Sequence, residues 1–384
     1  MGGSTAVFAL ILYLVVLPTI LLHLAFAGCR VNLSLFALNL HATPLTVGVV
    51  VSLLALLPMI FAVSAGRVMD RIGVRRPMLV GAGATIAGLA LVYAVPRIEV
   101  LFIASPLVGA GFMLYHMAVN HAVGSIGVPE DRVRNFSVLA LTFSTSNFLG
   151  PMLTGFAIDW IGYRQTFLLL AGSASLALAV LLLKRIEVAR HKPTDARGKE
   201  RRMMDLWRDR SMRRVFFVSG TLSMAWDLFT FVVPIYGSQI GLSASKIGLI
   251  LGAFGAAIFI VRLALPLFVH RVSAWRVLII AMLTTGAGFF VFPLVTTVPV
   301  LIAFAFILGV GLGGTQPMIM SLLYAHAPPG RGGEANGVRT LLLNFSQAGI
   351  PLLFGALGAA FGIAPAFWAM ATVLAGGGYW LRKS

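Results

Sequence analysis

Few residues in this chain could do chemistry, and the most telling are charged groups set inside long apolar runs. Arg30, Asp227 and Arg262 are placed this way, and Asp227 is the one acid among them. If those runs cross a bilayer, each ionisable group costs roughly 2.5–3.5 kcal/mol on insertion scales and must face a polar partner or a wet cavity. The first run carries His23, Ala27, Arg30 and Ser34 at i, i+4, i+7 and i+11, which is one helical face. A later run carries Gly220, Ser223, Asp227, Thr230 and Pro234 on a similar stripe. A carboxylate and a guanidinium can neutralise one another. Protonating Asp227 would then free Arg30 to hold an anionic group, so that proton and anion exchange occupancy. That use requires desolvation and the neighbouring cation to balance near neutrality. The same two residues could instead form a fixed structural pair, or each turn to polar neighbours of its own.

The elements that must position these groups occur twice. At an offset of 200 residues, Gly109-Ala110-Gly111 returns as Gly309-Val310-Gly311, Pro151…Gly155…Gly162 returns as Pro351…Gly355…Gly362, and Arg71…Arg76 returns as Arg271…Arg276. These identities fall on residues that set backbone geometry and loop charge, so the chain reads as a duplicated unit. The offset lays Asp227 on Ala27 and Thr230 on Arg30. Acid and base thus occupy equivalent positions one turn apart, each ~15–18 Å from the outer end of its run at 1.5 Å per residue.

Lipid is the solvent for most of this chain, because 59% of it is hydrophobic and only 11% charged, against ~25% charged in soluble domains. Twelve apolar stretches, near 8–40, 44–68, 77–95, 98–125, 134–158, 163–183, 214–238, 245–268, 277–295, 298–325, 334–360 and 364–381, meet the ~17–25 residues of a crossing. Eleven basic residues fall at the C-terminus or in loops after even-numbered stretches, and twelve more lie between the sixth and seventh. The opposite loops hold only Arg97, Arg164 and Lys246. By the positive-inside rule both termini and the central segment are expected in the cytoplasm, with the protein in a bacterial inner membrane. The net charge of +17 is therefore mostly topology. It does not describe a nucleic-acid face, which would need base-reading partners on a folded surface; anionic headgroups are the natural contact of the central segment. The chain divides at 1–184 and 214–384, joined by a basic linker at 185–213.

Between the second and third stretches stands Gly66-Arg67-Val68-Met69-Asp70-Arg71-Ile72-Gly73-Val74-Arg75-Arg76. It resembles the signature loop of the major facilitator superfamily, G-x-L-a-D-r-x-G-r-[RK]-x-x. A degenerate copy at 266–276 has His270 where the first has Asp70. The resemblance covers essentially the whole chain. It implies an all-α fold of twelve transmembrane helices, in two pseudo-symmetric six-helix bundles that rock about a central cavity lined by spans 1 and 7. It also implies that, in a gating loop that includes Gly66, Arg67 and Gly73, Asp70 latches the outward-facing state while Arg71, Arg75 and Arg76 tune the latch, although the same residues could merely anchor a loop at the headgroups. In span 5, Ser146-Asn147-Phe148-Leu149-Gly150-Pro151-Met152-Leu153-Thr154-Gly155 resembles the antiporter motif G-x-x-x-G-P-x-x-G-G with two glycines replaced. Gly150, Pro151 and Gly155 tilt the reading toward export. Close packing of spans 5 and 8 through small residues would explain them as well.

The remaining deep polar groups are ambiguous alone. Arg262 could meet substrate or close an interhelical hydrogen bond. Arg339, near the start of span 11, is expected to snorkel to the interface. His116 and Asn120 share a face at i, i+4, with Gln316 set against His116 by the repeat. His23 and His116 could carry protons or be satisfied core residues. Trp226, Phe26 and Tyr236 could wall a cavity or simply pack. Gly309-Val310-Gly311-Leu312-Gly313-Gly314 matches a dinucleotide fingerprint but lies inside an apolar helix with no preceding strand, so it reads as helix packing. No Walker loop, metal pair or nucleophile motif points to an enzyme, and no cofactor is expected. The expectation is a monomeric, proton-coupled secondary transporter of a small anionic or zwitterionic organic solute, more suited to efflux. Multidrug efflux, organic-anion uptake on the same fold and, in a different class, a lipid flippase are the alternatives.

Overall fold

The computed structural model describes residues 2–126, 132–183, 204–268, 272–328 and 331–383. Apolar runs of this length in lipid must satisfy every backbone group internally, and the described chain does so as helices. In order these are α1 (Gly2–Asn39), α2 (Pro44–Ile72), α3 (Arg75–Ala94), α4 (Ile98–Ser125), α5 (Arg132–Leu183), α6 (Met204–Arg208), α7 (Arg210–Gln239), α8 (Ala244–Phe268), α9 (Ala274–Val291), α10 (Val298–Gly313), α11 (Thr315–His326), α12 (Gly332–Phe361) and α13 (Ala364–Lys383).

Two of these boundaries depart from simple one-helix crossings. In α5 the backbone leaves helical geometry at Gly162 (φ 85°, ψ 166°), so its 52 residues make two passes. Conversely, α10 and α11 form one apolar stretch, Val298–His326. With α6 set aside, the described helices make twelve passes, in register with the twelve apolar stretches. Helix also reaches back into the expected linker: residues 184–203 lie outside the described residues, but α6 precedes Asp209, whose carboxylate caps α7 by accepting from Met212 N–H at 2.8 Å.

The duplication is written into the backbone. Gly362 (φ 83°) repeats the left-handed turn of Gly162. After α1, Ala42 N–H donates to Ala37 O at 3.0 Å and His41 takes φ 59°; after α7, Leu242 N–H donates to Gly237 O at 2.8 Å and Gly241 takes φ 75°. Both hairpins thus close through the same left-handed C-terminal turn.

The chain forms two compact units. The first comprises Met1–Ala42, Leu53–Thr194 and Ser243–Gly252, so the opening turns of α8 belong to it and pack against α5. Its core includes Phe36, Phe167, Tyr115 and Met78. The second comprises Thr43–Ser52, Asp195–Leu242 and Ala253–Ser384, and takes the opening turns of α2. Phe229, Phe289, Phe292 and Phe367 interlock at its centre, with ring centroids 5.3–6.3 Å apart. Outward-facing side chains such as Leu176, Ile280 and Trp160 are exposed and apolar, as lipid contact requires.

Candidate functional site

In the first unit the predicted polar residues of α1 and α4 converge. His23 stacks on Phe112 (5.2 Å between centroids) and meets Phe143 edge-on (4.9 Å), and Phe26 lies flat on Phe112 at 3.8 Å. His116 approaches the same two rings, 5.5 Å from Phe112 and 4.8 Å from Phe143. Asn120 Nδ2 donates to His116 O at 2.7 Å and lies 3.3 Å from its Nδ1. His23 is buried, and its Nδ1 has no hydrogen-bond partner. Arg30, two turns along α1 from His23, is half-buried, and its carbonyl accepts from Ser34 Oγ at 3.0 Å. The result is an aromatic box with two imidazoles in its wall. Phe112 and Phe143 complete it, although the spacing of polar residues could not single out two phenylalanines among the 27 of the chain.

The second unit holds the acid. Asp227 is only 4% exposed, and its Oδ2 accepts from Ser346 Oγ on α12 at 2.8 Å. Thr230 does not join the acid's side chain: its hydroxyl donates back to Trp226 O and Asp227 O. Trp226 meets Phe254 edge-on at 5.1 Å, which is packing within the unit. Arg262 is half-buried on α8. Arg30 stands on α1 in the first unit and Asp227 on α7 in the second.

One expectation is overturned. Arg339 does not snorkel: it is 6% exposed and donates through Nη2 to Gln316 Oε1. The reason is helix length. α12 begins at Gly332, so Arg339 sits two turns inside it, roughly 10 Å from its start, and the side chain turns inward to α11.

The span 5 motif serves two contacts rather than one. Gly150 faces α1, where an added Cβ would stand 2.9 Å from Ala27 Cβ. Gly155 lets the carbonyl of Ala244 in α8 approach where any side chain would overlap it, and Gly248 likewise admits Pro151 O, 2.7 Å from where a Cβ would lie. One turn beyond, Asp159 receives the N–H groups of Ala244 (3.1 Å) and Ser245 (2.9 Å), the first two residues of α8. Burial pushes this carboxyl up, but hydrogen bonds from Ser245, Ser243 and Ala244 outweigh it and hold Asp159 below the usual carboxylate range.

Of the signature loop, Gly73 (φ 78°) turns the chain between α2 and α3, Arg76 is exposed, and Arg75 Nε is buried without a hydrogen-bond partner. Gly66, Arg67, Asp70 and Arg71 lie in α2, with side chains outside the described residues, and His270 and Arg271 also lie outside them. Among the described residues no group of three or more His, Cys, Asp or Glu could hold a metal ion.

Twelve duplicated helical passes with ionisable groups buried in their apolar interior define an integral membrane protein with the fold of a secondary transporter. The chain belongs to the Major Facilitator Superfamily, whose family model matches residues 2–348 and again 215–383. It is a transporter and not an enzyme. The class G tetracycline resistance protein of Vibrio anguillarum is 29% identical over 326 residues, covering 81% of this chain and 80% of that protein. Among solved structures, a POT family transporter in complex with a thioalcohol-conjugated peptide superposes with a TM-score of 0.81 at 16% identity, covering 97% of this chain and 95% of that one. A nucleoside transporter gives 0.79 at 12%, covering 97% and 99%. A human organic anion transporter gives 0.70 at 17%, covering 97% and 98%. Identities this low speak for the fold alone.

Proposed function

We propose that the protein is a proton-coupled secondary transporter that carries a small anionic or zwitterionic organic solute out of the cell by alternating access. The observation that carries this reading is Asp227, a carboxylate buried midway along a membrane-spanning helix and held by a hydroxyl. An acid is costly to place there, and intramembrane acids mark proton relays. Asp227 takes the proton, and Arg30 is its counterpart on α1. His23, His116 and Asn120 of the aromatic box, with Trp226, Arg262 and Gln316, form the rest of the substrate-facing set. The excess of arginine over acid among the deep groups favours an anionic solute. Export is supported by the similarity to a tetracycline resistance protein and by the Gly150-Pro151…Gly155 motif. The halves at 1–184 and 214–384 act as one monomer with both termini cytoplasmic, in the plasma membrane of a bacterium. Asp70 and its neighbouring arginines gate it.

The test is proton movement in proteoliposomes loaded with a pH dye, under imposed gradients of amphipathic anions and cations. Anion-evoked pH changes that vanish in Asp227→Asn support the reading, and their sign separates antiport from symport. Coupling that survives in Asp227→Asn refutes it.

A further inference from the structure

The second unit contains a buried guanidinium that no carboxylate among the described residues neutralises. Arg339 donates through Nη2 to the neutral amide oxygen of Gln316, and its Nε is buried with no hydrogen-bond partner. Burying a cation with one neutral acceptor is a costly way to hold two helices together. Apolar residues of similar volume would do so as well or better. The same arrangement suits a ligand of opposite charge. A guanidinium presents five N–H donors in a planar fork that matches an oxyanion bidentately, and the amide nitrogen of Gln316 adds further donors beside it.

Its position on the helix links this pair to the acid. Arg339 and Ser346 are seven residues apart on α12, hence on one face and ~10 Å apart along the axis. Ser346 is the residue whose hydroxyl bonds Asp227. We infer that Arg339 and Gln316 form the oxyanion subsite of the transported solute, for a carboxylate, sulfonate or phosphate group, two turns along α12 from the proton site. This deepens the transport reading above and rests on it for the word transported. The binding step itself does not depend on that reading. Charges ~10 Å apart at an effective dielectric of ~20 change each other's binding by roughly fifteenfold, so an ionised Asp227 weakens the bound anion and a protonated one strengthens it.

The experiment is thermal unfolding of the purified full-length protein in phosphatidylcholine nanodiscs, with benzoate or sulfate replacing chloride at constant ionic strength and no proton gradient. The expected result is a rise in Tm with at least one anion in the wild type, lost in Arg339→Met. Asp227→Asn should keep the rise and reach it at roughly tenfold lower anion concentration at neutral pH. Arg339→Met without anion should unfold at or above the wild-type temperature, because it removes a buried charge. A marked fall in that variant makes Arg339 a structural bond and overturns the inference. So does the absence of any anion effect, or a stabilisation that comes only from phosphatidylglycerol in the disc, which would assign the guanidinium to lipid headgroups. Proton coupling measured separately under a gradient shows whether the transport reading has failed instead.

Discussion

Removing the carboxylate of Asp159 should loosen the start of α8 by a calculable amount. The carboxylate accepts two backbone N–H groups of that helix end. An N-terminal cap is worth ~0.5–2 kcal/mol and an anion at the positive end of a helix ~0.3–1 kcal/mol, the second reduced here because Asp159 is exposed and screened. Asp159→Ala should therefore release about 1–2 kcal/mol, making opening of the first turn of α8 roughly 5–30 times more frequent. Asp159→Asn keeps one acceptor oxygen and loses the charge, so its effect should be smaller. Hydrogen exchange of the peptide spanning 244–252 reads this opening directly. The pH dependence follows from a carboxyl held below its ordinary value. Such a group stabilises the folded contact fully above its unfolded pKa of ~3.9, and the contribution fades only as pH falls through the lowered value. Once intrinsic exchange rates are corrected, wild-type protection should be flat between pH 5 and 8. Unchanged protection in Asp159→Ala, or a titration of wild-type protection in that window, would refute the reasoning.

Other substitutions probe the packing. Gly155→Val forces a side chain into the carbonyl of Ala244 and should cost ~1–3 kcal/mol or more, lowering Tm and transport together. Gly83→Ala, whose Cβ meets nothing within 4 Å, should leave both near wild type. Tyr236 donates its hydroxyl to Val295 O at 2.8 Å and Pro293 O at 3.2 Å. Tyr236→Phe should therefore lower stability by about 1 kcal/mol in denaturant unfolding, with little change in substrate preference.

The twelve passes, their duplication and the family were legible because they depend on run length, on charge sidedness and on glycines whose φ admits few alternatives. Gly162 and Gly362 are the clearest case, since the same residue type at the same offset makes the same turn. The site was legible only as far as one helix face reaches. His116 with Asn120 follows from i, i+4 spacing, and Asp227 from the cost of an acid in lipid. The box around His23 needed Phe112 and Phe143 from two further helices, and no periodicity ranks one phenylalanine over another. The inward turn of Arg339 was not legible, because its fate depends on where α12 begins and an apolar run does not locate its own first turn. Asp159 carried no signal at all within α5. Its role exists only because α8 starts beside it.

The exchange of opening turns between units has a consequence for synthesis on the ribosome. When the first half of the chain has been made, the surface of α5 around Pro151, Gly155 and Asp159 still lacks residues 243–252, which complete that unit. In the other direction, residues 43–52 are made early but belong with Pro351 and Gly355, some 300 residues later. Neither half can therefore finish folding by itself. The last helices to be inserted close contacts left open by the first, so a nascent chain that stalls between them offers the insertion and quality-control machinery two unfinished surfaces.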